Sequence, residues 1–212
     1  MKVLRNISLF LVAFSFTASL ALADIKLPPP TTEGGMGVFE ALKKRSSALS
    51  SDFNGTELSL EELSTVLWAA SGLNREPKGW TVPMAMGAAP YCEIYVAGTL
   101  GIWLYDWKDH SLKEIGKEDV KAKVAKQGFV SQASYVLIVV ANGEALKSFS
   151  DPTAQIGFAN VLAGAMTQDV YLAAASLGLK ARYMVGMNVP AIQEVLKLPA
   201  NDTPICIMPL GK

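Results

Sequence analysis

The sequence predicts one mixed helix-and-strand domain behind a cleavable export signal. Three observations carry this. The 212 residues are 50% hydrophobic and only 18% charged, enough for one sizeable core and too apolar for a disordered chain. Helical spacing and strand-like runs both recur after residue 37. Before that, Lys2 and Arg5 precede an apolar run from Ile7 to about Leu20, followed by Ala21-Leu22-Ala23.

That N-terminus fits a secretory signal cut after Ala23, because the run is short for a membrane span and exits through small residues. No Arg-Arg pair is present, so export of the unfolded chain is expected, and no cysteine follows the cut to take a lipid. The expected destination is periplasmic or secreted, with no membrane attachment after cleavage. Residues 24–37, with Leu27-Pro28-Pro29-Pro30 and Gly34-Gly35, read as an extended arm. The domain proper is expected over 38–212.

A helix follows from about Val38 to Ser47, with Val38, Ala41, Leu42 and Arg45 on one face. Ser59-x-x-Glu62 is a capping box opening a helix to Ser71, with Leu60, Leu63, Leu67 and Ala70 buried and Gly72 as its C′ stop. Residues 74–90 form a long loop rich in proline and glycine. A hairpin is expected at Cys92–Ala97 and Ile102–Trp107. Its stripe of Trp103, Tyr105 and Trp107 could line a cleft, but sheet packing is the better reading. Glu118–Gln127 reads as a solvated, lysine-rich helix, and Tyr135–Ala141 as a central strand. The stretch from about Gln155 to Leu177 is apolar nearly all round and stops at Gly178, as a buried helix of a soluble protein or dimer would. Lys180–Met187 and Pro204–Leu210 are two further strands, separated by a short helix near Pro190.

Equal basic and acidic counts, 19 each, give no surplus for nucleic acid. One histidine excludes a His-rich metal site, and no metal ligands are assigned. His110 reads as an exposed turn residue without a Ser or Cys partner. Cys92 and Cys206 read as two buried free thiols, although the expected compartment permits a disulfide. Phosphate-loop, dinucleotide and nucleophile-elbow motifs are absent, so redox or group-transfer chemistry would fall to a cofactor.

Local strings point to that cofactor. Ala41-Leu42-Lys43-Lys44-Arg45-Ser46-Ser47, Leu67-Trp68-Ala69-Ala70-Ser71-Gly72-Leu73-Asn74-Arg75 and Trp80-Thr81-Val82-Pro83-Met84-Ala85-Met86-Gly87 occur in order. Gln168-Asp169-Val170-Tyr171-Leu172-Ala173-Ala174 and the ending Pro209-Leu210-Gly211 follow. Together they resemble the FMN-dependent nitroreductase family, in particular its small azoline-oxidase-like branch. The resemblance implies an α+β fold with a mostly antiparallel central sheet packed by helices. It also implies a homodimer with FMN in clefts at the interface.

On that resemblance Arg45, Ser46 and Ser47 lie at the FMN phosphate and ribityl end, and Leu49 near the flavin pyrimidine. Pro83, Met84, Ala85 and Gly87 reach the ring from the partner subunit. Val185 and Gly186 bring backbone to its reactive edge, and Gly211 and Lys212 lie near the phosphate. The chain departs from the family's strings at Ser46, Leu49, Trp80, Met84 and Gly87. The implied activity is ping-pong transfer of hydride through FMN from a donor such as NAD(P)H to a second small molecule, with no catalytic side chain. The alternatives are a non-enzymatic dimer that binds another planar ligand, and one whose cleft is closed.

Overall fold

The computed structural model describes residues 24–212, apart from the side chain of Met86. The predicted signal therefore lies outside the described residues. Seven strands form one antiparallel sheet: β1 (Ile25–Lys26), β2 (Cys92–Gly98), β3 (Gly101–Asp106), β4 (Ser111–Gly116), β5 (Tyr135–Ala141), β6 (Lys180–Ala181) and β7 (Thr203–Gly211), in the order β1-β4-β3-β2-β5-β7-β6. The helices are α1 (Val38–Lys44), α2 (Leu60–Ser71), α3 (Lys121–Val124), α4 (Gly143–Leu146), α5 (Pro152–Leu177) and α6 (Val189–Leu196).

Strand alternation separates two cores. Leu137, Val139 and Ala141 of β5 join Ile94 and Met208 under α2 and α5. Val136, Ile138 and Val140 turn the other way, with Tyr95 and Ile207, toward α3 and α6. Both faces of β5 are thus covered, which is why its sequence is apolar throughout. Trp103 and Tyr105 are buried on the α2/α5 side and Trp107 packs against it, so the aromatic stripe belongs to the core.

The capping box is present: Ser59 Oγ accepts from the Glu62 N–H at 3.2 Å, and the Glu62 carboxylate accepts from the Ser59 N–H at 2.7 Å. Gly72 ends α2 for a different reason from the expected C′ turn. Its φ is −73°, and a Cβ there would stand 2.3 Å from Trp68 Cδ1. Gly178 does end α5 in the left-handed region, with φ +72°.

Several expectations need correction. The arm over 24–37 is extended and also docked on the body: β1 pairs with β4, and Leu27 is buried. The predicted helix over 38–47 stops at Lys44, and only Ala41 of its apolar face is buried. Leu60 is exposed at the start of α2. Only Lys121–Val124 of the segment 118–127 is helical. Lys121 is buried there, donating to Thr99 Oγ1 at 3.0 Å and pairing with Asp119. Of 180–187, only Lys180–Ala181 forms a strand, with isolated bridges at Met184 and Met187.

His110 is half-buried rather than an exposed turn residue. Its Nε2 lies 2.7 Å from Ser64 Oγ and its Nδ1 3.0 Å from the Tyr105 hydroxyl. Ser64 Oγ donates to the Pro28 carbonyl at 2.6 Å, so the satisfied tautomer carries its proton on Nε2. Ser64 is fully buried, and the trio fastens the arm to the body rather than facing a substrate.

Cys92 and Cys206 are buried free thiols, and burial pushes both up to about 12, leaving them inert. Among the described residues, no helix is long and apolar enough to cross a membrane, and no cluster of His, Cys, Asp and Glu could hold a metal.

Candidate functional site

The chain leaves α1 at Lys44 and runs extended through residues 45–49. It is anchored where the Ala48 N–H donates to the Ala181 carbonyl at 2.9 Å. Lys180 pairs with Gly211, which brings the C-terminus to the same edge. Arg182 reaches back through Nη1 to Ser50 Oγ at 3.3 Å. Three segments distant in sequence, 45–50, 180–186 and 211–212, are thereby gathered at one end of the sheet.

Tyr171 of α5 organises this edge. Its hydroxyl accepts from the Tyr183 N–H at 2.7 Å and shares a 2.7 Å hydrogen bond with Ser47 Oγ. Its ring carries the Arg45 guanidinium 5.1 Å from the centroid. Arg182 stacks similarly over Phe129 at 5.3 Å. Ring stacking orients a guanidinium without neutralising it. Among the described residues, neither arginine has an acidic partner. Ser46 is exposed beside them.

Each guanidinium presents a planar donor fork of the kind suited to a phosphate, and the Arg45 stack has Ser47 beside it. The same edge also exposes apolar residues, Leu49 and Val185, each 66% exposed, among exposed serines. Such a surface suits a flat organic body. The residues present thus have the chemistry that a planar ligand carrying a phosphate requires.

Two residues that sequence reasoning did not single out also face this edge. Arg182 is one. Gln127 is the other: its exposed side-chain amide has no hydrogen-bond partner among the described residues, and its Nε2 would lie 2.5 Å from a Cβ on Gly186. Nothing local in the sequence marks either residue, because each gains its place from a neighbour far along the chain.

The remaining predicted positions divide. Gly211 is packed flush on Phe53, where a Cβ would be 3.1 Å from the ring. Lys212 pairs with Glu62 at 2.9 Å, so its charge is already matched. The loop holding Pro83, Met84, Ala85 and Gly87 is not joined to the Arg45 segment by any hydrogen bond among the described residues. Met84 and Ala85 pack on the α2/α5 core, and Trp80 meets Trp107 edge-on at 5.5 Å. Pro83, Met84 and Gly87 line a cavity of about 470 Å³ with Arg75 and Lys78.

The fold and this edge match proteins of one class. The nitroreductase family pattern matches residues 42–212. The chain belongs to the nitroreductase family. It is 33% identical over 184 residues to MJ1384 of Methanocaldococcus jannaschii, a protein named for the nitroreductases, covering 82% of this chain and 89% of that one. The crystal structure of a Ralstonia eutropha protein carrying the nitroreductase name superposes with a TM-score of 0.83 at 32% identity, covering 89% of each chain. The E. coli microcin synthetase complex contains a chain with a TM-score of 0.68 and 14% identity, covering 96% of this chain and 84% of that one. At that identity the likeness speaks to the fold alone.

Proposed function

We propose that this protein is an exported FMN-dependent oxidoreductase of the azoline-oxidase-like branch, acting as a homodimer. The observation that supports it most is the pair of unneutralised guanidiniums, Arg45 and Arg182, beside exposed apolar surface. An uncompensated guanidinium held by ring stacking favours a bound anion. When bound, FMN supplies the two-electron hydride chemistry that no side chain of this protein provides, with a donor such as NAD(P)H and a second substrate using the cleft in turn.

The roles of the chain's own groups follow from their placement. Arg45 binds the phosphate, with Arg182 adding charge. Ser46 is free to donate to the same group, while Ser47 holds Tyr171 and hence the Arg45 stack. Leu49 and Val185 exclude water from the ring face. The Gln127 amide, with one donor and one acceptor edge, suits the alternating polar rim of a flavin. Pro83, Met84, Ala85 and Gly87 approach from the partner subunit. The signal is removed after Ala23, and the mature protein, with its arm over 24–37 and its domain over 38–212, works in the periplasm or outside the cell.

A second reading, a relative that has lost flavin, is favoured by one feature. Leu49 carries no charge and Lys212 is spent on Glu62, which leaves less positive charge to stabilise a reduced flavin. One experiment separates the two. The absorption spectrum of the purified protein, before and after titration with FMN, should show a bound-flavin spectrum with saturable uptake that bleaches on adding NAD(P)H. No uptake would favour the second reading.

A further inference from the structure

Residues 31–36 of the arm form a strap between two helices. At one end the Thr31 N–H donates to Thr65 Oγ1 of α2 at 3.0 Å. At the other the Met36 N–H donates to Ser176 Oγ of α5 at 3.0 Å. Between them Gly34 and Gly35 both lie in the left-handed region, with φ +75° and +70°. A Cβ on Gly35 would stand 2.8 Å from Ser176 Oγ, so a side chain there would displace the hydroxyl that anchors Met36.

Against the strap lies a partly open cavity of about 330 Å³, lined by Trp68 of α2 and by Asp169, Leu172 and Ala173 of α5. That volume is at the small end of ligand sites, which run from about 300 to 1,000 Å³, and suits a single-ring molecule. The charge of the cavity is one-sided. Asp169 and Glu33 line it, and no Lys, Arg or His does. Asp169 has no hydrogen-bond or ion partner among the described residues. Burial pushes its carboxyl up to about 6, so at neutral pH it stands largely ionised in apolar surroundings with nothing opposite it. The Trp68 indole N–H is committed to the Leu73 carbonyl at 3.1 Å, which fixes the ring at the cavity wall. None of the residues of the Arg45 edge lines this space. The strap precedes residue 42, where the match to the family begins.

We propose that the strap-lined cavity is a binding site for a small organic cation, a protonated amine on a single-ring or short aliphatic body. Asp169 is its counter-charge, with Glu33 of the strap as a weaker second. Trp68 supplies an aromatic face, and Leu172 and Leu177 contact the body. The mutual neutralisation of amine and Asp169 removes an unmatched charge from apolar surroundings, which an alcohol or a carboxylate of the same shape cannot do.

The test uses the purified protein without flavin, so its outcome is independent of the function proposed above. Phenethylamine, 2-phenylethanol and phenylacetate are titrated by calorimetry at pH 7.5. Saturable binding of the amine is expected, at least tenfold tighter than either analogue. Asp169→Asn should weaken the amine at least tenfold, and affinity should fall as pH drops below about 6 and Asp169 takes up its proton. Ala173→Leu, which narrows the cavity without touching the charge, should weaken it as well, and stands in if the Asp169 variant does not fold. Absence of saturable amine binding overturns the proposal, including the case of a dimer whose second copy fills the cavity. Equal binding of the alcohol overturns it too, as does full affinity in a folded Asp169→Asn or Ala173→Leu protein.

Discussion

Arg45 and Asp169 are opposite cases of one problem, a charge without a partner in its own chain. Arg45 is stacked and half-exposed, so water meets most of its needs until an anion arrives. If it holds the phosphate, Arg45→Ala should weaken FMN by about 1.5–3 kcal/mol, the scale of a hydrogen bond to a charged group. Riboflavin, which lacks the phosphate, should bind either protein alike in the same fluorescence titration. Equal losses for both ligands would assign Arg45 to the fold through Tyr171 instead. For Asp169 the folded-state pKa lies above that of the unfolded chain. As pH rises from about 4 through 6, the unfolded state gives up its proton first, and folding loses stability that is not regained at higher pH. Asp169→Asn should therefore melt above the unaltered protein at pH 8, with the difference gone below pH 4. A shift of the same size at both values would mean that packing, not charge, is responsible.

Among the elements, α2 was the most legible. The reciprocal bonds of Ser59 and Glu62 were readable from spacing, because a capping box is closed within four residues. Ser59→Ala should cost about 1 kcal/mol, seen as a lower midpoint in urea unfolding at unchanged slope. The segment 118–127 was illegible for the opposite reason. Its lysines suggested a solvated helix, yet Val120, Lys121 and Val124 are buried. Just past Val124 the backbone is taken by other segments, with Ala125 bridging Met187 and the Lys126 N–H donating to the Gly186 carbonyl at 3.2 Å. Strand β4, Ser111–Gly116, has weak strand character of its own; β3 and β1 define it by pairing along both its edges.

For the whole molecule, the apolar surface left uncovered by one chain is the informative feature. One stripe of α5 is buried, while Ile156 and Val161 remain exposed, and Phe39 of α1 is 85% exposed beside exposed Val38 and Leu42. Exposed apolar residues on α1 and on the N-terminal half of α5 call for a cover. Sedimentation at micromolar concentration should give a dimer. Phe39→Glu with Val161→Glu should give a folded monomer, with weakened FMN uptake if, as proposed, the partner supplies the Pro83–Gly87 loop. A stable monomer of the unaltered protein would count against the shared cleft.

What the sequence determined by itself was local or cumulative. Helix caps, the left-handed stop at Gly178, the buried character of β5 and the ordered strings that resemble one family all depend on neighbours in the chain or on their sum. Tertiary structure alone decided which polar and charged groups meet and which are left without partners. Arg182 and Gln127 join the Arg45 edge, Lys212 is drawn to Glu62, and Thr31–Met36 becomes a strap along the Asp169 cavity. Each of these depends on a neighbour at least tens of residues away, brought close by sheet pairing and helix packing, and such distances have no period that a sequence can display.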